Sequence, residues 1–299
     1  MDSIRETPRP VPVVPRGVLA GSYRCSIPLI RPSLLTTKSR GGVGKNLSEG
    51  WNLNFAVGCT HACPFCYVDP IHKRFGMKRY GEAVRQTWGD YMLVPENLDE
   101  AIERTKWSRW DGLEVMMSST HDPYLPNLAT PARKILEQAL PAGVRLCIQT
   151  RSYLVTRDLE FLARFPSQVR VQVSIATFDS ELARRIEPRV PPPRARLEVL
   201  RKAKDLGLAI GVILAPILPE LSIRPDVGED LREMIRAIAT LEPAFVYGES
   251  MHTRGENKRL VSDRLGEDLP SENGFDKRCS KWFREELRAC GLRGTWWPE

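Results

Sequence analysis

No apolar run in this 299-residue chain approaches the ~18 residues that a membrane-spanning helix requires, so no membrane partner is expected. The stretch from Met1 to Pro15 holds acidic residues and four prolines but no apolar core, so it is not read as a signal peptide. A cytoplasmic chain is the expectation. Internal repeats are lacking. The glycine-rich run Arg40-Gly41-Gly42-Val43-Gly44-Lys45 lacks the Gly-x-x-x-x-Gly-Lys-Ser/Thr spacing of a phosphate cradle and reads as a plain loop. A second Cys-x-x-Cys pair is also missing, and that weighs on the metal chemistry below.

What is present is an ordinary globular mix, 42% hydrophobic and 27% charged, which excludes a disordered or fibrous chain. The net charge of +7 mildly favours a polyanionic partner. Strand-length runs rich in Val, Ile and Leu lie at 51–57, 113–118, 144–150, 169–176, 208–214 and 243–248. Helical patterns alternate with them. One at 97–109 begins at an Asn cap, and one at 131–140 has Pro131 at its first position. A third at 194–206 is closed by Gly207, and a fourth at 229–241 is closed by Pro243.

The spacing of the strand starts matches βα units, which need right-handed crossovers and a parallel sheet. The expected fold class is α/β, a partial (β/α)6 TIM-type barrel. A doubly wound sheet is the competing architecture. Residues 1–50 read as an irregular N-terminal arm, and 51–249 as the barrel with an insertion at 71–96. Residues 250–299 read as a C-terminal helical extension, whose Trp296 and Trp297 cover a barrel end.

The decisive stretch follows the first strand: Gly58-Cys59-Thr60-His61-Ala62-Cys63-Pro64-Phe65-Cys66-Tyr67. Cys59, Cys63 and Cys66 place three thiolates around one loop. A cubane iron–sulfur cluster is normally held by four, so three leave one iron open to a ligand. The alternative is a structural zinc site in a non-enzymatic binding module, with His61 or His72 as fourth ligand. Zinc sites usually pair two Cys-x-x-Cys knuckles, and here there is one.

This spacing resembles the radical S-adenosylmethionine superfamily. The resemblance narrows with Thr120-His121-Asp122-Pro123-Tyr124, Thr150-Arg151-Ser152, Ser174, Glu187-Pro188-Arg189 and Ala215-Pro216-Ile217, in that order along roughly residues 50–220. Together they look like the spore photoproduct lyase-like family, often labelled DNA repair photolyases. The resemblance implies a [4Fe-4S] cluster on the three cysteines and S-adenosyl-L-methionine on the open iron. It also implies a reducing electron donor of flavodoxin or ferredoxin type and a 5′-deoxyadenosyl radical that abstracts hydrogen. Phe65 and Ala215 are then expected to back the adenine. Arg151 and Ser174 are expected to meet the methionine carboxylate, and Ser118 and Thr120 the amino group. Ser119 to Asp122, Arg151, Ser174, Thr177, Pro216 and Glu249 all fall at C-terminal strand ends, where a barrel keeps its site.

One residue departs from the pattern. The family's namesake carries a cysteine three residues before the aspartate, and it returns hydrogen to the product radical. Ser119 stands there instead, and its O–H bond is too strong to donate readily. Tyr67, Tyr91 and Tyr124 are candidate radical relays, each with packing as the alternative. Asp122, before a proline, is also a turn former. Cys279 and Cys290 are two thiols in the extension, too few for an auxiliary cluster and better read as packing. Lys73, Arg74, Lys78, Arg79 and Arg85 interleave with Phe75, Tyr80 and Trp88, a pattern that suits nucleic acid as well as a solvated surface. A peptide or small metabolite is the competing substrate class.

Overall fold

A computed structural model describes residues 23–32, 50–253, 255–270 and 273–297. The glycine-rich run at 40–45 and the prolines of the first fifteen residues lie outside them. Among the described residues, eight strands form one sheet in chain order: β1 (Ile30–Pro32), β2 (Trp51–Leu53), β3 (Glu114–Met117), β4 (Arg145–Thr150), β5 (Val169–Ile175), β6 (Ala209–Ile217), β7 (Phe245–Ser250) and β8 (Thr295–Trp297). β1 pairs antiparallel with β2, and every later pair is parallel. The order runs from β1 at one edge to β8 at the other, so the sheet is open.

Among the same residues, ten α-helices accompany the sheet: α1 (Val68–Phe75), α2 (Met77–Tyr80), α3 (Leu98–Arg104), α4 (Ala129–Ala139), α5 (Leu159–Leu162), α6 (Ser180–Ile186), α7 (Pro193–Asp205), α8 (Val227–Ala239), α9 (Asn257–Leu265) and α10 (Phe275–Ala289). The six expected strands are β2 to β7. Two further strands join them. β1 lies in the arm read as irregular, where Leu29 and Ile30 are buried. β8 comes from the extension, with Trp296 packed on Phe283 at 5.2 Å between ring centroids. The two tryptophans therefore extend the sheet.

Helix boundaries differ for local reasons. Asn97 does not cap α3 with its side chain. Its amide instead brackets the arm, accepting from the Cys25 N–H at 2.8 Å and donating to the Cys25 carbonyl at 3.1 Å. The expected 97–109 helix breaks after Arg104. The Thr105 hydroxyl turns back to the Ala101 carbonyl at 2.6 Å and accepts the Leu29 N–H at 3.1 Å. α4 starts two residues before Pro131, which the first turn tolerates because its N–H groups have no helical partner.

The two faces of the sheet differ. Val169, Val171, Val173 and Ile175 of β5 join Leu146 and Ile148 of β4 in the main core. α8 adds Leu231, Met234, Ile235 and Ile238, each fully buried and contributing roughly 1.5–3 kcal/mol. The opposite face, which lines the half-barrel, carries polar groups at alternate positions. Gln149 of β4 registers with Gln172 of β5, and Gln172 with Gly211 of β6. A Cβ on Gly211 would lie 2.7 Å from the Gln172 side chain, so glycine there makes room for the glutamine. This polar lining leads up the strands to the site.

Candidate active site

The loop after β2 is fixed from behind. Val57 and Leu93 exchange backbone hydrogen bonds at 3.0 and 2.7 Å. Gly58 has φ +88°, and a Cβ on it would lie 2.4 Å from the Tyr91 carbonyl oxygen. The loop therefore rests directly on Tyr91, in a conformation that side chains resist. Arg189 ties its far side to the insertion, reaching the Thr60 carbonyl at 3.5 Å, donating to the Gly89 carbonyl at 2.7 Å and pairing with Asp90 at 3.2 Å.

So held, Cys59, Cys63 and Cys66 line one cavity of about 110 Å³, together with His61, Phe65, Tyr67, Ser118 to Asp122, Gln149 and Arg151. Burial pushes the Cys59 thiol up to about 12 and Cys66 up to about 11, and it pushes Cys63 well above the usual range. Such thiols ionise when a metal supplies the compensating charge. Three soft sulfur donors facing one enclosed space fit an iron–sulfur cluster. Among the described residues, no group of three or more His, Cys, Asp or Glu converges to hold a single metal ion. Burial holds His61 below its ordinary value, hence neutral, with Nδ1 3.6 Å from Asp122. His72, the other zinc candidate, lines a different cavity and contacts the Tyr91 hydroxyl at 3.3 Å.

Asp122 is the clamp between β3 and β4. One carboxylate oxygen accepts from the Tyr124 N–H at 2.8 Å and the Thr150 hydroxyl at 2.7 Å. The other accepts from the Arg151 N–H at 2.6 Å. Its turn-forming role and its strand-joining role thus coincide. Ser118 donates to the His121 carbonyl at 2.6 Å, and Thr120 contacts His121 Nδ1 at 3.2 Å.

Arg151 lines the cysteine cavity and a second cavity of about 150 Å³, shared with Phe65, Ser174, Ala215, Pro216 and Glu249. Its Nε donates to Glu187 at 2.9 Å and its Nη2 to the Ala215 carbonyl at 3.1 Å. The guanidinium lies 5.6 Å from the Phe65 ring centre. Glu187 also pairs with the fully buried Arg196, whose Nη1 donates in addition to the Ser174 carbonyl. Burial pushes the Glu187 carboxyl up, but Arg196 and Arg151 outweigh burial and hold it below the usual range. Gln149 sits between the two cavities. Its Nε2 reaches Ser174 Oγ at 3.4 Å, and its Oε1 is buried without a partner. An orphaned acceptor at this place fits a ligand that brings a hydroxyl or ammonium donor.

A third cavity, of about 730 Å³, lies between the arm and the insertion. Tyr23, Phe75, Tyr80, Arg31, Arg79 and Asn54 are among its walls. Ser119 and Thr120 belong to its wall and to that of the cysteine cavity. Ser119 is held by Asn54, whose Oδ1 accepts the Ser119 N–H at 2.9 Å and whose amide donates to Ser119 Oγ at 3.2 Å. Among the described residues, Tyr67 alone lines all three cavities, and its hydroxyl donates to the Ser119 carbonyl at 2.8 Å.

The radical SAM superfamily model matches residues 53–238, a span that holds the cysteine loop, Arg151, Ser174 and Glu187. The chain belongs to the radical SAM superfamily. Membership implies an iron–sulfur cluster, S-adenosylmethionine and a reductant. ORF301 of Acidianus two-tailed virus, named an uncharacterized protein, is 55% identical over 95% of this chain and 94% of its own length. Uncharacterized protein Rv2578c of Mycobacterium tuberculosis is 31% identical over 70% of this chain and 60% of its own length. The fold is similar to that of spore photoproduct lyase. A variant of that enzyme with bound AdoMet and dinucleoside spore photoproduct superposes with a TM-score of 0.62 at 17% identity, covering 88% of this chain and 80% of that chain. The enzyme complexed with dinucleoside spore photoproduct gives 0.61 at 17% identity over the same shares.

Within this radical SAM site, Cys59, Cys63, Cys66, Phe65, Ser118, Ser119, Thr120, Arg151, Ser174 and Ala215 all line one or other of the two cavities that share Gln149 and Arg151. Tyr124 is a correction. It is fully buried in the main core and lines none of the three cavities, because its β3-to-α4 loop turns it towards the helices. Tyr91 supports the cysteine loop from behind and likewise lines none of them. Cys279 and Cys290 sit eleven residues apart on and just past α10, roughly 16 Å along its axis, too far to share a cluster. Of the interleaved basic residues, Arg79 lines the large cavity with Phe75 and Tyr80, whereas Lys73 pairs with Asp69 and Arg85 with Glu82. Sequence reasoning misses Asn54, Gln149 and Arg196. The available signal is periodicity: Gln149 breaks an apolar strand, and Arg196 falls on the buried stripe of α7 with Leu200 and Ala203.

Proposed function

We propose that the protein cleaves S-adenosylmethionine reductively at a [4Fe-4S] cluster and directs the resulting radical at a nucleic-acid substrate. The observation that carries this reading is the meeting of three thiols, Arg151 and the orphaned Gln149 oxygen on the walls of one cavity. Cys59, Cys63 and Cys66 would hold the cluster. The chemistry it supplies when bound is one electron to the sulfonium, which splits into methionine and a 5′-deoxyadenosyl radical able to abstract hydrogen. Arg151 offers its guanidinium to the methionine carboxylate. Gln149 accepts from a cofactor hydroxyl or ammonium. Phe65 and Ala215 wall the apolar side for adenine. A flavodoxin- or ferredoxin-type donor supplies the electron, and the seven free cysteines suit a reducing cytoplasm.

The large cavity takes the substrate. Its aromatic walls suit stacked bases, and Arg31 and Arg79 suit phosphates. Tyr67, which lines all three cavities, would relay hydrogen between substrate and cofactor sides. Ser119 borders both sides but carries a hydroxyl in place of a thiol.

Two results test this reading. Binding of a short single-stranded DNA or RNA is expected to weaken steeply with salt, and Arg31→Gln with Arg79→Gln to flatten that slope by about 2. A salt-independent affinity would point to a peptide or small metabolite. With an oligonucleotide bearing the spore photoproduct, the wild type is expected to form 5′-deoxyadenosine without clean reversal of the lesion. Ser119→Cys is expected to raise the repaired fraction. Efficient repair by the wild type would contradict the role given to Ser119.

A further inference from the structure

Glu187 and Arg196 form an ion pair whose side chains are each 1% exposed, behind the wall that Arg151 presents to the cysteine and adenine-side cavities. Buried charges persist when paired, and here the count is uneven. Two guanidinium groups, Arg151 and Arg196, share one carboxylate. Asp122, the acid that lines the cysteine cavity, meets the N–H groups of Tyr124 and Arg151, the Thr150 hydroxyl and His61. Glu249, the acid of the second cavity, meets Tyr247 and His252, so the carboxylate that faces the two guanidinium groups is Glu187. The cluster of three side chains therefore keeps one positive charge, and the side chain that meets the cavities is Arg151.

We infer that Arg196, which lines none of the three cavities, is a positioning residue that sets the anion affinity of Arg151. Arg196 binds both Glu187 oxygens and so takes up most of that carboxylate. It also grips the Ser174 carbonyl and fixes the end of β5 beside Arg151. Without Arg196, Glu187 would neutralise Arg151 alone, and a ligand carboxylate would meet a balanced pair. With it, Arg151 retains a charge to offer. The ligand class is a carboxylate, that of the methionine moiety, so the inference rests on the cofactor reading above.

The test compares equilibrium binding of S-adenosylmethionine with that of decarboxylated S-adenosylmethionine, which keeps the sulfonium and the amine. Protein reconstituted anaerobically and left unreduced is used, so turnover does not enter. The ratio of the two affinities is insensitive to the fraction of protein that is folded. Wild type is expected to prefer the carboxylate ligand about tenfold or more. Arg196→Met should lower that preference about fivefold or more. Combining it with Glu187→Gln removes one charge of each sign and restores the count, so the preference should return to within about threefold of wild type. An Arg196→Met protein with the wild-type preference, or a double variant no better than the single one, overturns the inference. If the wild type binds neither ligand, the cofactor reading itself fails, and that outcome is separable because it precedes any variant.

Discussion

Cys63→Ala is expected to give a chain that stays colourless after anaerobic incubation with iron and sulfide and forms no 5′-deoxyadenosine above background. The reason is the count of donors. Three thiols face the cavity, and a cubane that already forgoes one protein ligand does not survive on two. Cys63 lines that cavity with both other cysteines and with Arg151. Loss of activity by more than about 100-fold is expected, beyond what outer-shell changes around a metal usually cost. The fold should survive, because the loop is anchored by the Val57–Leu93 bonds and by Arg189. An unchanged circular dichroism melt alongside the lost visible absorbance separates this outcome from unfolding. A brown, active Cys63→Ala protein would remove the cluster from this loop.

Glu187→Ala should be the most destabilising single change in the site. It strands two guanidinium groups, one of them fully buried, with no carboxylate between them. Breaking a buried pair from one side typically costs about 3–5 kcal/mol, against a total stability of roughly 5–15 kcal/mol. A fall in melting temperature of roughly 10 °C is the expected readout. Glu187→Gln keeps the shape and some hydrogen bonding, so its cost should be smaller. A melt for Glu187→Ala within a degree or two of wild type would show that the two arginines find other partners.

The cysteine site is legible in the sequence because three thiols at short spacing, straight after an apolar run, converge on one loop whatever the rest of the chain does. The six barrel strands are legible because Val, Ile and Leu concentrate where the outer face meets the helices. The ion cluster is not. Glu187 lies 36 residues from Arg151 and 9 from Arg196, and the fold alone brings the three together. β1 and β8 are hidden for a similar reason. Each is three residues long, and each is stabilised by distant groups, Asn97 and Thr105 for the arm and Phe283 for Trp296. Asn97 shows how a local signal misleads: a residue suited to capping its own helix spends its amide on Cys25 instead. Tyr124 shows the converse, since a motif position near the site says nothing about which side of the sheet a ring will face.

The most direct measurement is 5′-deoxyadenosine formation by the wild-type chain, reconstituted anaerobically and supplied with S-adenosylmethionine and dithionite. The expected result is a brown protein with about four irons per chain that releases 5′-deoxyadenosine and methionine in equal amounts. A colourless, zinc-loaded protein that leaves S-adenosylmethionine intact would contradict it.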